Sequence, residues 1–231
     1  ELFGCTPIIL WGMTETYRGT VTRLDDPLET IAASVGGYRP GWEMVVLDER
    51  GRILPPGEPG ELAVKGPFLF QEYLKNPVAL AESLTPDGWF KTGDQALIDE
   101  RRYVRLTGRI KDLIRRGGVW ISPKEIEDIL YTHPKVRDCA LVAMPDERLG
   151  ERSCLFAVLQ PGVELALDEV RRFLDGKGIA KYKWPERLEF IAELPLNAAR
   201  KVRKNVLREQ IAARLREETA ALQVENPPTP R

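Results

Sequence analysis

GRIKDLIRRGGVWISPKEIE, residues 108–127, is where the chain changes from a pattern of strands and turns to one of mixed strands and helices. Its first half reads as a short basic strand. Gly117 and Gly118 then make a turn in which backbone passes without Cβ obstruction. Ser122 opens a helix, and Pro123 suits its first position because the N–H that proline lacks is one a helix start leaves unbonded. Glu125 lies at the capping-box spacing from Ser122. Ile126, Ile129 and Leu130 fall on one face, so the spacing predicts an amphipathic helix over 123–132.

Upstream, EMVVLDERGRILP (43–55) predicts a hairpin with a polar turn at Asp48 to Gly51, and GELAVKG (60–66) alternates as another strand. PPGEPGE between them excludes a helix. Asn76 and Pro77 start a short helix that runs to Ser83. QALIDERRYVR (95–105) predicts a second hairpin around Asp99 to Arg101. Downstream, CALVAMP (139–145) and CLFAVL (154–159) are compact apolar strands, helices are predicted at 167–176 and 203–217, and a strand near 187–191. The fold class expected is α+β: a β-rich part over 1–107, then a small layer of helices packed on a sheet over 108–217. The end of the chain, 218–231, is expected to be a disordered tail, because NPPTPR at 226–231 has nothing to bury.

Lys and Arg total 34 against 35 Asp and Glu, a net charge of −1, which offers no broad footprint for nucleic acid or an anionic membrane. The basic stretches 109–116 and 200–208 do not interleave aromatics, which argues further against nucleic acid. No apolar run approaches the roughly 18 residues of a spanning helix, and no charged-then-apolar leader opens the chain. A cytoplasmic protein without a transmembrane segment is expected. Cys5, Cys139 and Cys154 are widely spaced and odd in number, so they suggest core thiols rather than a disulfide framework or a zinc site. His133, the one histidine, lies in THPKV at a helix end and reads as a terminal or loop residue rather than a base.

Three further motifs carry chemistry. WGMTET (11–16) places an aromatic, a hydroxyl and a carboxylate together, although alone it reads equally as a strand-to-turn segment with a core Trp. GWFKTGD (88–94) ends on Asp94, whose carboxylate is able to take two hydroxyl donors at once beside a permissive Gly93. LPLNAARKVRKNVLR (194–208) carries Lys201 in a basic run that also reads as the first turns of a surface helix.

In this order, with Gly-Arg at 108–109, these motifs resemble those of the adenylate-forming (AMP-binding) enzymes over about residues 8–210. The resemblance is to acyl-CoA synthetases of the fatty-acid, aryl-acid and alicyclic-acid CoA ligase type. It implies that residues 1–107 are the C-terminal portion of a large AMP-binding domain, including its distorted β-barrel subdomain, and that the chain is a fragment. ATP/AMP, Mg²⁺ and coenzyme A are the implied cofactors, and a small carboxylic acid the implied substrate. By the same resemblance Trp11 lies against adenine, Thr14 contacts the α-phosphate, Glu15 helps hold Mg²⁺, and Asp94 and Arg109 hold the ribose. Lys111 is the hinge, Gly117 and Gly118 line the pantetheine arm, and Lys201 contacts the carboxylate and α-phosphate. Gly36, Gly37 and Tyr38 are candidates to approach the acid.

Lys111 also reads as solvated strand charge, and Arg115 and Arg116 either assist the phosphates of coenzyme A or form a solvated loop edge. Two residues depart from the family pattern: Trp11 replaces the usual Tyr or Phe, and Arg200 replaces the usual Gly. The Ser/Thr/Gly-rich phosphate loop is absent, so a backbone cradle for the β- and γ-phosphates is missing and the isolated chain is expected to be inactive. An adenylation domain serving a carrier protein and a non-catalytic C-terminal module are the alternative readings.

Overall fold

The structure is a computed structural model that describes residues 4–225, with side chains to residue 221. It divides into two compact units, residues 1–111 and 112–231. The division follows Lys111, inside the stretch quoted above rather than ahead of it at residue 107.

In the first unit, β1 (Leu10–Trp11), β2 (Thr20–Val21) and β3 (Gly37–Tyr38) form a small antiparallel sheet, with the helix α1 (Leu28–Ala33) between β2 and β3. Next come β4 (Glu43–Leu47), β5 (Gly60–Lys65), the helix α2 (Pro77–Ser83), β6 (Phe90–Ile98) and β7 (Val104–Arg109). These four strands pair in chain order as an antiparallel sheet. It stays open, with β4 and β7 as its edges, so no closed barrel forms among the described residues. Four short strands are too few to close around a packed interior.

The hairpin expected over 43–55 is only half made. The turn is present, with Asp48 N–H donating to the Arg52 carbonyl at 2.9 Å, but its returning arm contributes only the Leu47–Ile53 bridge. The long partner of β4 is β5, from Glu43↔Lys65 to Leu47↔Glu61. Asn76 caps α2 as expected, its Oδ1 accepting from Ala79 N–H at 3.2 Å. Along β6, residues alternate buried and half-buried without exception, which puts Phe90, Thr92, Asp94, Ala96 and Ile98 on the inner face.

The second unit contains β8 (Ile114–Arg116), β9 (Val119–Ile121), α3 (Pro123–Leu130), β10 (Val136–Asp146), β11 (Gly150–Leu159), α4 (Leu167–Gly176), β12 (Arg187–Phe190) and α5 (Lys204–Glu225). The strands lie in the order β10-β11-β8-β9, and β12 adds to β11 in parallel. The runs CALVAMP and CLFAVL are apolar throughout because both faces of this hairpin are covered. Cys139, Leu141, Ala143 and Leu155 share one core with Ile126 and Leu130 of α3 and Val170 and Leu174 of α4. Ala140, Val142, Met144, Cys154, Phe156 and Val158 share the other with Leu207 and Ile211 of α5.

Three expectations need correction here. Ser122 makes no side-chain cap hydrogen bond, and Glu125 is drawn instead to Lys183 Nζ at 2.7 Å. The last helix does not stop at 217: residues 218–225 continue α5, since that segment is free of Gly and Pro and Glu218 pairs with Arg187 at 2.5 Å. The rest of the expected tail, 226–231, lies outside the described residues. Cys5 is exposed, whereas Cys139 and Cys154 are buried as expected. His133 is buried at the end of α3, its ring meeting Phe173 edge to face with centroids 4.5 Å apart. No helix of the described residues is long and apolar enough to cross a membrane.

Candidate functional site

In the first unit, β6 and β7 pair so that Asp94 and Arg109 stand opposite each other. Arg109 Nε lies 3.0 Å from Asp94 Oδ1, and the Trp11 indole N–H donates to Asp94 Oδ2 at 2.9 Å. Asp94 is only 7% exposed and Trp11 6%, so a carboxylate that water would otherwise solvate is held by two fixed donors. The turn before it is built for this. Gly93 has φ 72, in the left-handed region, and its N–H donates to Glu61 Oε1 at 3.1 Å. Thr92 Oγ donates to the Leu62 carbonyl at 2.8 Å while accepting from Asp94 N–H at 3.2 Å. Trp11 therefore belongs to the core with Trp42, Met44 and Phe90 while its polar edge reaches the acid.

Residues 13–16 form a tight turn, in which Thr16 N–H donates to the Met13 carbonyl at 3.1 Å and Thr16 Oγ accepts from Met13 N–H at 3.2 Å. The turn buries Thr16 completely and leaves Thr14 exposed and Glu15 half-buried. Gly12 is required there, because a Cβ on it would lie 1.7 Å from the Tyr17 carbonyl oxygen. The Tyr73 hydroxyl donates to Glu15 Oε1 at 2.9 Å. Burial, reinforced by the Glu15 carboxylate, raises the Tyr73 phenol above its ordinary range and keeps it a donor. Tyr73, Glu61 and Thr92 were missed by sequence reading. Thr92 sits inside a motif already singled out, whereas Tyr73 and Glu61 approach from distant segments without a local signal.

In the second unit, Gly117 and Gly118 make the two-residue turn between β8 and β9, with φ 55 and 88, a pairing that a non-glycine residue disfavours. Arg116 is held by Glu186 through two hydrogen bonds of 3.1 Å, and Arg115 lies over the Trp120 ring, 5.4 Å from its centroid. Of the two, Arg116 is thereby committed within the fold.

Lys201 is exposed in a loop ahead of α5 rather than in the helix. The Leu196–Val202 bridge closes that loop, and Asn197 Oδ1 accepts from Lys201 N–H at 2.9 Å. Arg200 adopts φ 58, the left-handed conformation that glycine would take without strain. Lys111 is exposed in a 3-10 turn over Ile110–Asp112. The structure thus brings Trp11, Asp94 and Arg109 together, with Thr14 and Glu15 on the turn after Trp11. It sets Gly117, Gly118 and Lys201 in the other unit.

Comparison with known proteins gives the following similarities. Residues 1–74 match the AMP-binding enzyme family, and residues 125–201 match the AMP-binding enzyme C-terminal domain. The chain is 44% identical over 213 residues to a medium-chain fatty-acid–CoA ligase of Escherichia coli strain K12, covering 92% of this chain and 38% of that protein. It is 42% identical over 215 residues to a 2,3-dihydroxybenzoate-AMP ligase of Bacillus subtilis strain 168, covering 93% of this chain and 40% of that protein. Among solved structures, ATP-bound MatB from Rhodopseudomonas palustris superposes with a TM-score of 0.82 at 37% identity, over 89% of this chain and 40% of that one. The chain therefore spans about two fifths of the length of the relatives it matches.

Proposed function

The chain belongs to the AMP-binding, adenylate-forming enzymes, and we propose that it is the carboxyl-terminal portion of one that activates a carboxylic acid with ATP and passes the acyl group to coenzyme A. In the first half-reaction the carboxylate oxygen attacks the α-phosphorus, giving acyl-AMP and pyrophosphate. In the second, the thiol sulfur attacks the acyl carbon and AMP leaves.

The observation that carries this reading is the buried Asp94 carboxylate, fixed between Trp11 and Arg109 at 2.9 and 3.0 Å. A carboxylate already oriented is suited to accept both ribose hydroxyls of a nucleotide at little further entropic cost. Thr14, exposed on its turn, supplies a hydroxyl for the α-phosphate. Lys201 supplies an ammonium for the charge that develops there, a point charge on a flexible stem suited to acting in one half-reaction and leaving for the next.

Glu15 fits a role at Mg²⁺. That ion keeps several waters and takes most of its remaining ligands from substrate phosphates, so one protein carboxylate is enough. Glu15 is half-buried and steadied by Tyr73, and among the described residues no cluster of three or more His, Cys, Asp or Glu could hold a metal by itself. When bound, the ion would offset charge on the phosphate oxygens. Lys111 serves as the hinge, and Gly117 and Gly118 leave room for the pantetheine arm.

AMP titration against the chain and its Asp94→Asn variant tests the nucleotide reading; equal affinity would remove it. Pyrophosphate exchange across acetate, medium-chain, alicyclic and aryl acids, using the longer enzyme followed by free coenzyme A, tests the rest. Exchange without thioester would favour transfer to a carrier protein, a reading supported by the similarity to an aryl-acid AMP ligase. The 231 residues alone are expected to give no acid-dependent exchange, because they lack a phosphate-binding loop.

A further inference from the structure

We propose that the first unit carries a second anion site, separate from the Asp94 clamp, which takes a small ligand bearing two or more phosphate groups. A hollow of about 540 Å³ is lined by Arg23, Arg39, Arg101 and Arg102 together with Tyr38 and Tyr103, and no carboxylate lines it. Its walls are set by the fold. Arg101 and Arg102 sit in the β6–β7 turn, which is closed by Arg102 N–H donating to the Asp99 carbonyl at 2.9 Å. Arg39 follows β3 and is anchored by its N–H to the Gly19 carbonyl at 3.1 Å. Arg101 also lies over the Tyr103 ring, 5.2 Å from its centroid.

What these four arginines share is one hollow whose lining contains no carboxylate to offset them. Several arginines elsewhere are matched by a carboxylate: Arg52 by Asp48, Arg116 by Glu186 and Arg187 by Glu189 and Glu218. Among the described residues, none of the four arginines of the hollow forms a salt bridge. Asp26, whose carboxyl is held below its ordinary range chiefly by hydrogen bonds and in part by the charges of Arg23 and Arg101, is turned to other donors, and so is Asp99. Asp26 accepts from Arg23 N–H at 2.7 Å and from the Tyr103 hydroxyl at 2.5 Å, and Asp99 Oδ1 accepts from Tyr103 N–H at 2.7 Å.

Four like charges around one concavity repel one another, and an anion placed among them reverses the sign of that interaction. Guanidinium forks match phosphate oxygens in pairs. The hollow and the clamp occupy opposite ends of one ladder: Asp94↔Arg109 at one end, Ile98↔Val104 beside the turn at the other. At about 3.3 Å per residue the two ends are roughly 13 Å apart along β6.

The test is calorimetric titration of the 231-residue chain with tripolyphosphate at low and physiological salt. Arg39→Ala and Arg102→Gly are the variants, the second chosen because Arg102 has φ 66 and glycine accepts that conformation. Arg105→Ala, an exposed arginine of β7 outside the hollow, controls for general charge. We expect saturable binding that is weakened about tenfold by each of Arg39→Ala and Arg102→Gly, unchanged by Asp94→Asn and little changed by Arg105→Ala. No binding, or equal loss in Arg105→Ala, would overturn the site. Loss in Asp94→Asn would assign the anion to the nucleotide clamp. Displacement of tripolyphosphate by octanoate or benzoate would give the hollow, which includes Gly37 and Tyr38, to the substrate acid instead.

Discussion

The indole N–H of Trp11 donates to Asp94 across 83 positions of sequence, so the core of the first unit and its buried carboxylate are tied by one hydrogen bond of 2.9 Å. Phe at this position would keep an aromatic ring and lose the donor. A hydrogen bond to a charged group contributes about 1.5–3 kcal/mol, and Arg109 would compensate in part. Trp11→Phe is therefore expected to weaken AMP binding about 5- to 30-fold, with a greater effect on ribonucleotide than on 2′,3′-dideoxynucleotide binding. Equal losses for both would mean that Trp11 acts through packing and not through Asp94.

Arg200 holds φ 58 in the loop that presents Lys201. A left-handed non-glycine residue is strained by roughly 1–2 kcal/mol, which glycine would relieve while adding about 0.5–1 kcal/mol of unfolded-state entropy to lose. Arg200→Gly should therefore leave the urea midpoint unchanged or raise it slightly. Arg200→Val should lower the unfolding free energy by about 1 kcal/mol or more, and the midpoint with it, since a β-branched residue tolerates this region least. Destabilisation by glycine with none by valine would show that the loop does not hold this conformation.

Burial raises the thiol pKa of both Cys139 and Cys154, the latter to about 12, with nearby Glu127 and Glu189 acting in the same direction. Cys5 is exposed. Since the thiolate is the nucleophile, native protein at neutral pH should react with iodoacetamide at Cys5 alone, and all three cysteines should react in denaturant. Rapid native labelling at Cys139 or Cys154 would show that the β10–β11 hairpin opens.

Elements with a strong local signal were legible from sequence. The period of LDEVRRFLDG identifies α4 over its full 167–176, and Asn76-Pro77 marks the start of α2. The start of β6 was not: the expected hairpin begins at Gln95, whereas the strand begins at Phe90, and its alternating burial brings Asp94 to the inner face. What escaped was decided by distant partners. Ser122 and Glu125 have capping-box spacing, but Lys183, 58 positions away, takes the glutamate. Tyr73 reaches Glu15 across the same separation, and nothing in QEYLKNP announces it. The open edge of the four-stranded sheet is likewise a matter of pairing, which the residues of β4 and β7 do not display individually.

His133 supplies a pH dependence whose sign follows from its surroundings. Burial lowers its pKa below the ordinary value of 6.5; Lys135 adds to the shift and Glu169, 4.0 Å from Nε2, opposes it. Its Nδ1 accepts from Lys135 N–H at 3.2 Å, a bond available only to the neutral ring. Near the unfolded pKa the unfolded chain binds more protons at this site than the folded one, so stability falls as pH falls. The contribution is complete above about pH 6.5 and is lost as pH drops through the lower folded value. Glu169, whose pKa is lowered chiefly by its hydrogen bond with Lys135, acts with the same sign below its ordinary 4.5. Urea midpoints should therefore decline between pH 7 and pH 5 in the wild type, and His133→Gln should flatten that slope while leaving the steeper acid loss in place. An unchanged slope in the variant would assign the pH dependence to other groups.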